Sequence, residues 1–293
     1  LKTAGNAWDL TGHLDRIVPV NIQSLAIFAR LYDEPSTPPE QARLPVLHSL
    51  QLSSALEKFA RVNQRLENLQ GNYSSTQMWD ETNAVKKDLI LEKRTAFASA
   101  PQEAILSGPH LFVALPFYKT PRAICTEKGH YDCLDLLQLP DDYIPRVNFG
   151  RVVTPEEYQR RTPKVQWDEH RPTSDFYRLA SRRGAHPADE RTLRSAILPP
   201  GTRHVNGIFS VSFKNISYLA STSAAWASIP IDFFVKTTGK QDFRDETAAR
   251  LPIFSRSIRF DIRSLALNCL TTHYADLWNE CWDDSFHQQR WAK

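Results

Sequence analysis

The chain has 293 residues, 41% of them apolar and 24% charged, the balance of a folded globular protein rather than a disordered or collagen-like one. A net charge of +3 excludes a histone-like polycation. No apolar run is long enough to span a bilayer, Asp9, Asp15 and Arg16 interrupt any signal peptide, and four cysteines is a cytosolic count. A cytoplasmic location, reduced thiols and no membrane partner are therefore expected. The only methionine is Met78 and the first residue is Leu1, so a longer parent protein is expected.

Residues 1–45 carry Pro35, Pro38, Pro39 and Pro45 and read as a loop-rich lead-in. Leu52, Leu56, Phe59, Val62, Leu66 and Leu69 recur every three or four residues, which predicts a helix stopped by Gly71-Asn72. Leu111–Phe117 reads as a buried strand and Lys119–Arg122 as a basic turn. Thr154-Pro155-Glu156-Glu157 has the cap, the first-turn proline and the acids of a helix start. Pro172-Thr-Ser-Asp175 opens another expected helix, running to about Arg183. Thr192–Pro199 and Gly207–Phe213 read as strands, 216–228 as a helix, Ile231–Val235 as a strand, and the tail from Ile258 as helical. The expected class is α+β, with a helical segment over 1–104 and a mixed α/β core over 105–293.

Motifs for common chemistry are missing. No two of the ten glycines are separated by one residue, so there is no G-x-G loop for a dinucleotide or S-adenosylmethionine, and no phosphate loop. G-x-S-x-G and HExxH are absent too. Cys125, His130 and Cys133 lack a recognised zinc spacing, and Cys269 and Cys281 read as free thiols, so no metal is expected. Asp141 and Asp142 could open a metal-dependent nuclease motif, but no acid-x-Lys element follows. Arginines outnumber lysines 24 to 12, and the stretch 151–203 holds ten Arg and one Lys against seven acids. Such a run is either a solvated face with local ion pairs or a phosphate-gripping surface.

Three segments carry a resemblance. Asp175-Phe-Tyr-Arg-Leu-Ala180, Glu190-Arg-Thr-Leu-Arg-Ser-Ala-Ile-Leu-Pro-Pro-Gly201 and His204-Val-Asn206 resemble the target-recognition region of Eco57I-like adenine-specific DNA methyltransferases of restriction-modification and phage-defence systems. Ile105–His110 and Pro116–Arg122 look like the start of the same region. Ile231–Thr238 followed by Leu251-Pro252 is similar to the ending of recognition domains in type I specificity subunits and TaqI-like methylases. The catalytic Asn-Pro-Pro-Tyr of that family is absent; Leu115-Pro-Phe-Tyr118 echoes it without the amide. The resemblance implies a non-catalytic, DNA-binding portion that grips duplex DNA and presents an adenine to a separate methyltransferase domain, with S-adenosylmethionine bound in that domain and none here.

On that resemblance, Lys119, Arg122, Lys128, Arg178, Arg182 and Arg183 are expected on phosphates. Arg178 and Arg182 would share a helix face. Arg203, His204, Asn206, Lys236, Thr237, Thr238 and Lys240 are expected on base edges from loops after strands. The alternatives are a non-catalytic scaffold subunit of a defence complex and a divergent metal-dependent nuclease.

Overall fold

The computed structural model describes residues 4–8, 10, 14–47, 49–127, 129–254 and 256–288. The chain divides into two units. The smaller spans Leu1–Asn63 with Thr237–Gly239, and the larger holds the rest.

In the smaller unit, α1 (Ile22–Tyr32) starts where the Asn21 side chain accepts the Ser24 N–H at 2.9 Å, satisfying one of the orphan donors of the first turn. It buries Phe28, Ala29, Leu31 and Tyr32 and packs on α2 (Leu50–Ala60). The long helix expected through Leu69 ends at Ala60, and Leu66–Leu69 forms a separate 3-10 turn in the larger unit. The lead-in expected to be loop contains α1.

The larger unit runs β1 (Tyr73–Thr76), α3 (Glu81–Lys86), β2 (Leu91–Phe97), β3 (Ile105–Leu106), β4 (Lys119–Pro121), β5 (Tyr131–Cys133) and β6 (Arg146–Arg151). It continues through α4 (Pro155–Arg161), β7 (Lys164–Val165), β8 (Asp168–Pro172), β9 (Arg178–Arg182), β10 (Ser195–Leu198), β11 (Arg203–His204) and β12 (Ile208–Phe213). The remaining helices are α5 (Ser217–Trp226), α6 (Ile229–Thr237), α7 (Asp245–Ala249), α8 (Ile258–Asn268) and α9 (Ala275–Cys281). The class is α+β. No described helix is long and apolar enough to cross a membrane.

Four antiparallel strands in the order β1-β12-β9-β10 form the central sheet. Ala180 faces Ala196 on one side and Ser210 on the other. Every residue of β10 and β12 is buried, which is why these strands are runs of small and apolar residues rather than alternating ones. Helix α5 covers β9 and β10 and packs on α8. Ala104, Leu106, Leu111, Val147 and Ile208 join Ala180, Ala196 and Leu198 in one core cluster. Trp79, Ile90, Leu91, Ile105, Phe149, Tyr158 and Val205 form a second. Successive residues Ile105 and Leu106 thus face different clusters, as a strand requires.

Three expected elements are corrected. Residues 172–183 are not a helix: a 3-10 turn at Thr173–Asp175 leads into β9, because pairing on both sides by β10 and β12 overrides local propensity. Ile231–Val235 is helical. Ile231, Phe234 and Val235 are buried, and their i, i+3, i+4 spacing is the apolar stripe of a helix. Leu111–Phe117 is a turn closed by a Phe112–Leu115 bridge, with Ala114 at φ 52°. The Thr154 cap forms as expected, its hydroxyl accepting the Glu157 N–H at 3.3 Å.

Candidate nucleic-acid interface

Two arginines of 151–203, Arg178 and Arg203, are buried and hold the interior together. Arg178 is fully buried on β9; its Nη2 donates to the Thr202 carbonyl at 2.5 Å and hydroxyl at 2.8 Å. Burial pushes its guanidinium down to about 9. Arg203, 4% exposed, donates to Thr162 Oγ1 at 3.1 Å, to the carbonyls of Gln102 at 3.1 Å and Gly201 at 3.0 Å, and to Gln159 Oε1 at 2.5 Å. Its guanidinium also lies 4.6 Å over the Tyr158 ring. His204 is fully buried. Its Nδ1 donates to the Val205 carbonyl at 3.1 Å and its Nε2 accepts from Ser210 Oγ at 2.8 Å. Burial, reinforced by nearby Arg178, pushes the ring down to about 3. These three side chains are corrected from DNA contacts to core groups: buried and bonded inside, they cannot reach a duplex.

The other expected contacts divide. Arg182 Nε donates to the Leu111 carbonyl at 2.6 Å and Nη2 to that of Pro109 at 3.2 Å. Its guanidinium and the Lys119 ammonium both lie over the Tyr118 ring, at 5.7 and 5.0 Å, so two expected phosphate contacts do converge. Arg122 pairs with Asp132 at 2.8 Å on the surface, and Arg183 faces Asp242 at 3.6 Å. Asn206 Nδ2 donates to Asp80 at 2.9 Å, Lys236 to the Asp189 carbonyl at 2.9 Å and Lys240 to Glu246 at 2.7 Å. Thr237 is buried beside the Tyr32 hydroxyl at 2.7 Å, which removes it from any base-reading role; Thr238 is half-buried. Lys128 lies outside the described residues.

The motif residues have architectural partners. Arg191 Nε is 3.5 Å from Asp232, and its Nη2 donates to the Ala227 carbonyl at 2.8 Å, beyond the end of α5. Asp232 also accepts the Leu193 N–H at 2.7 Å. Gly201 adopts φ 86°, a left-handed conformation that suits glycine.

Outward-facing cations collect instead on the β2–β6 ribbon, which lies outside the segments that the motifs mark. Lys93 and Arg94 on β2 are exposed, and Arg146 and Arg151 on β6 are half-buried. Arg94 is only loosely paired, 3.9 Å from Glu92. Arg151 commits Nη1 to the Val153 carbonyl at 2.9 Å. The Arg146 guanidinium lies 4.4 Å over the ring of Phe97, an exposed aromatic. A bulge between Lys93 and Ala96 shifts the register of the ribbon, the kind of irregularity that re-aims side chains. The sequence signal for it is the alternation Arg-Val-Asn-Phe-Gly-Arg, which buries Val147 and Phe149 and turns Arg146 to the opposite face; Arg151, at the strand end, falls on the Val147–Phe149 side.

Asp141 and Asp142 are exposed and held through their backbone: the Asp141 carbonyl accepts the Thr272 N–H at 2.7 Å, and the Asp142 carbonyl accepts His273 Nε2 at 3.0 Å. Among the described residues no three His, Cys, Asp or Glu side chains stand together as metal ligands. No protein-family model matches the chain, and no curated protein sequence matches it.

Proposed function

We propose that this chain is a DNA-binding portion of a site-specific adenine methyltransferase system, gripping duplex DNA through the β2–β6 ribbon. The observation that carries this reading is the ribbon itself. It offers exposed Lys93 and Arg94 and half-buried Arg146 and Arg151, which each spend one Nη1 donor on a backbone carbonyl, together with exposed Phe97. A two-stranded β-ribbon is narrow enough for the major groove, and its cations suit phosphate oxygens. The resemblance of the Glu190–Gly201 segment supplies the methyltransferase context. The sequence holds no G-x-G loop, so S-adenosylmethionine chemistry belongs to a separate catalytic domain, and no step of it falls on these residues. The partners are then double-stranded DNA and that domain.

The test is duplex binding by the chain, followed by fluorescence anisotropy across a salt series. Arg94→Ala and Lys93→Ala should each lower the slope of log affinity against log salt by about one, the share of a single neutralised phosphate. Binding with no salt dependence, or slopes unchanged in both variants, overturns the ribbon as the interface. The scaffold reading draws on the internal commitment of Arg178, Arg191 and Arg203. Capture of a defence-complex partner without duplex binding would favour it.

A further inference from the structure

A cavity of about 220 Å³ opens beside the ribbon, smaller than the ~300–1,000 Å³ of pockets for drug-sized ligands and suited to one ring system with its substituents. Its floor is buried and mainly apolar, from Ile105, Val147, Phe149 and Tyr158. Ala96 and Ala98 keep one wall low. Phe97, 58% exposed, stands at the rim.

Polar groups converge on the same space. Arg94 and Arg151 both line it. Arg94 is two-thirds exposed and, among the described residues, has only its loose contact to Glu92, and Arg151 keeps donors beyond the one given to Val153. Glu103 also lines the cavity, its carboxylate accepting from Ser99 Oγ at 2.7 Å. The Tyr158 ring in the floor is buried and stacks on Trp79, ring centroids 5.5 Å apart, which fixes the shape of the cavity.

We infer that this cavity binds a nucleotide, with the base between the apolar floor and Phe97 and the phosphate on Arg94 and Arg151. Aromatic rings offer a sequence-tolerant face for any base, and arginine forks suit phosphate oxygens. Glu103 can accept a hydrogen bond from an exocyclic amine. The inference rests on the duplex-binding reading where the nucleotide is one turned out of DNA; a free nucleotide presents the same chemistry.

Calorimetry on the full chain separates these cases. Deoxyadenosine monophosphate should bind at least about tenfold more tightly than deoxyribose 5-phosphate, because stacking adds to the phosphate contact. Phe97→Ala should abolish that preference, and Arg94→Ala should weaken both ligands alike. Both side chains are exposed, and unchanged melting temperatures would certify the variants as folded. Equal binding of the two ligands, or no binding of the nucleotide, overturns the inference. A duplex carrying 2-aminopurine distinguishes the sources. A fluorescence rise on binding, suppressed by deoxyadenosine monophosphate, assigns a base turned out of DNA; nucleotide binding without the rise assigns a free nucleotide. Nucleotide binding that persists without duplex binding removes the proposed function and keeps the cavity. Duplex binding without nucleotide binding does the reverse.

Discussion

Nε of Arg191 lies 3.5 Å from Oδ2 of Asp232, joining the Glu190-Arg191-Thr192 segment to the helix that carries Asp232-Phe233-Phe234. The other carboxylate oxygen, Oδ1, accepts the Leu193 N–H at 2.7 Å. Two segments that carry the sequence resemblance are therefore halves of one local structure. Asp232 is buried and Arg191 is half-buried, so removing the carboxylate orphans the Leu193 N–H and leaves the guanidinium its carbonyl contact alone. Asp232→Ala should cost about 1–3 kcal/mol, the range for a buried donor left unsatisfied. Adding Arg191→Ala should cost less than the sum of the single changes. Urea unfolding of the three variants measures it; strictly additive losses would show that the pair does not couple.

Gly201→Ala should destabilise the chain by about 1–3 kcal/mol, the cost of a non-glycine residue forced into a left-handed backbone. Gly201 sits at φ 86°, and a Cβ there would stand 3.1 Å from Pro101 Cβ and 3.2 Å from Gln102 N. Gly184→Ala is the control, since its Cβ would meet nothing within 4 Å and its φ is not positive. Equal melting temperatures for the two variants would contradict the strained turn.

Stability should fall on mild acidification. His204 is neutral in the fold, its ring pushed down to about 3 by burial, and burial lowers His110 in the same direction. The unfolded chain takes up these protons first. The stability contributed is thus complete above about pH 6.5 and is lost progressively as the pH falls toward the folded values, by up to about 1.4 kcal/mol per histidine per pH unit. Model carboxylates titrate near 4, so a drop in Tm from about pH 6.5 to about pH 5 reports mainly the histidines. A flat Tm across that interval would be incompatible with two buried neutral rings.

Arg203 and Arg94 should separate folding from binding. Arg203→Ala removes four internal hydrogen bonds and should cost about 2–4 kcal/mol while leaving the salt slope of duplex binding unchanged. Arg94→Ala should alter stability by less than about 0.5 kcal/mol, as surface changes do, and should reduce that slope. If Arg203→Ala remains fully stable and loses base discrimination, the reading of these two residues is reversed.

Thiol alkylation should rank the cysteines. Burial pushes Cys281 up to about 11 and Cys269 up to about 12, whereas Cys133 is exposed. At about pH 8 only a trace of either buried thiol is ionised, and the thiolate is the reactive form. Mass spectrometry after brief iodoacetamide treatment should find Cys133 modified well before Cys269 or Cys281. Early labelling of Cys281 would show that α9 opens in solution.

What the sequence determined by itself was local. The Thr154 cap needs only Thr154 and the Glu157 N–H three residues on, and it formed where its residues predict. The strands within Thr192–Pro199 and Gly207–Phe213 and the helix within 216–228 were legible because burial on both sides leaves an unbroken run of small and apolar residues. Tertiary structure decided the rest. Whether 178–182 is helix or strand depended on β10 and β12, which flank β9 and meet it only in the fold. The destinations of the arginines were likewise invisible in their spacing. A guanidinium has five donors that can bind carbonyls as well as phosphates, so Arg178 and Arg203 could turn inward to Thr202 and Gln159. Arg94 and Arg151 came to line one cavity because strand pairing in the β2–β6 ribbon joins segments distant in sequence.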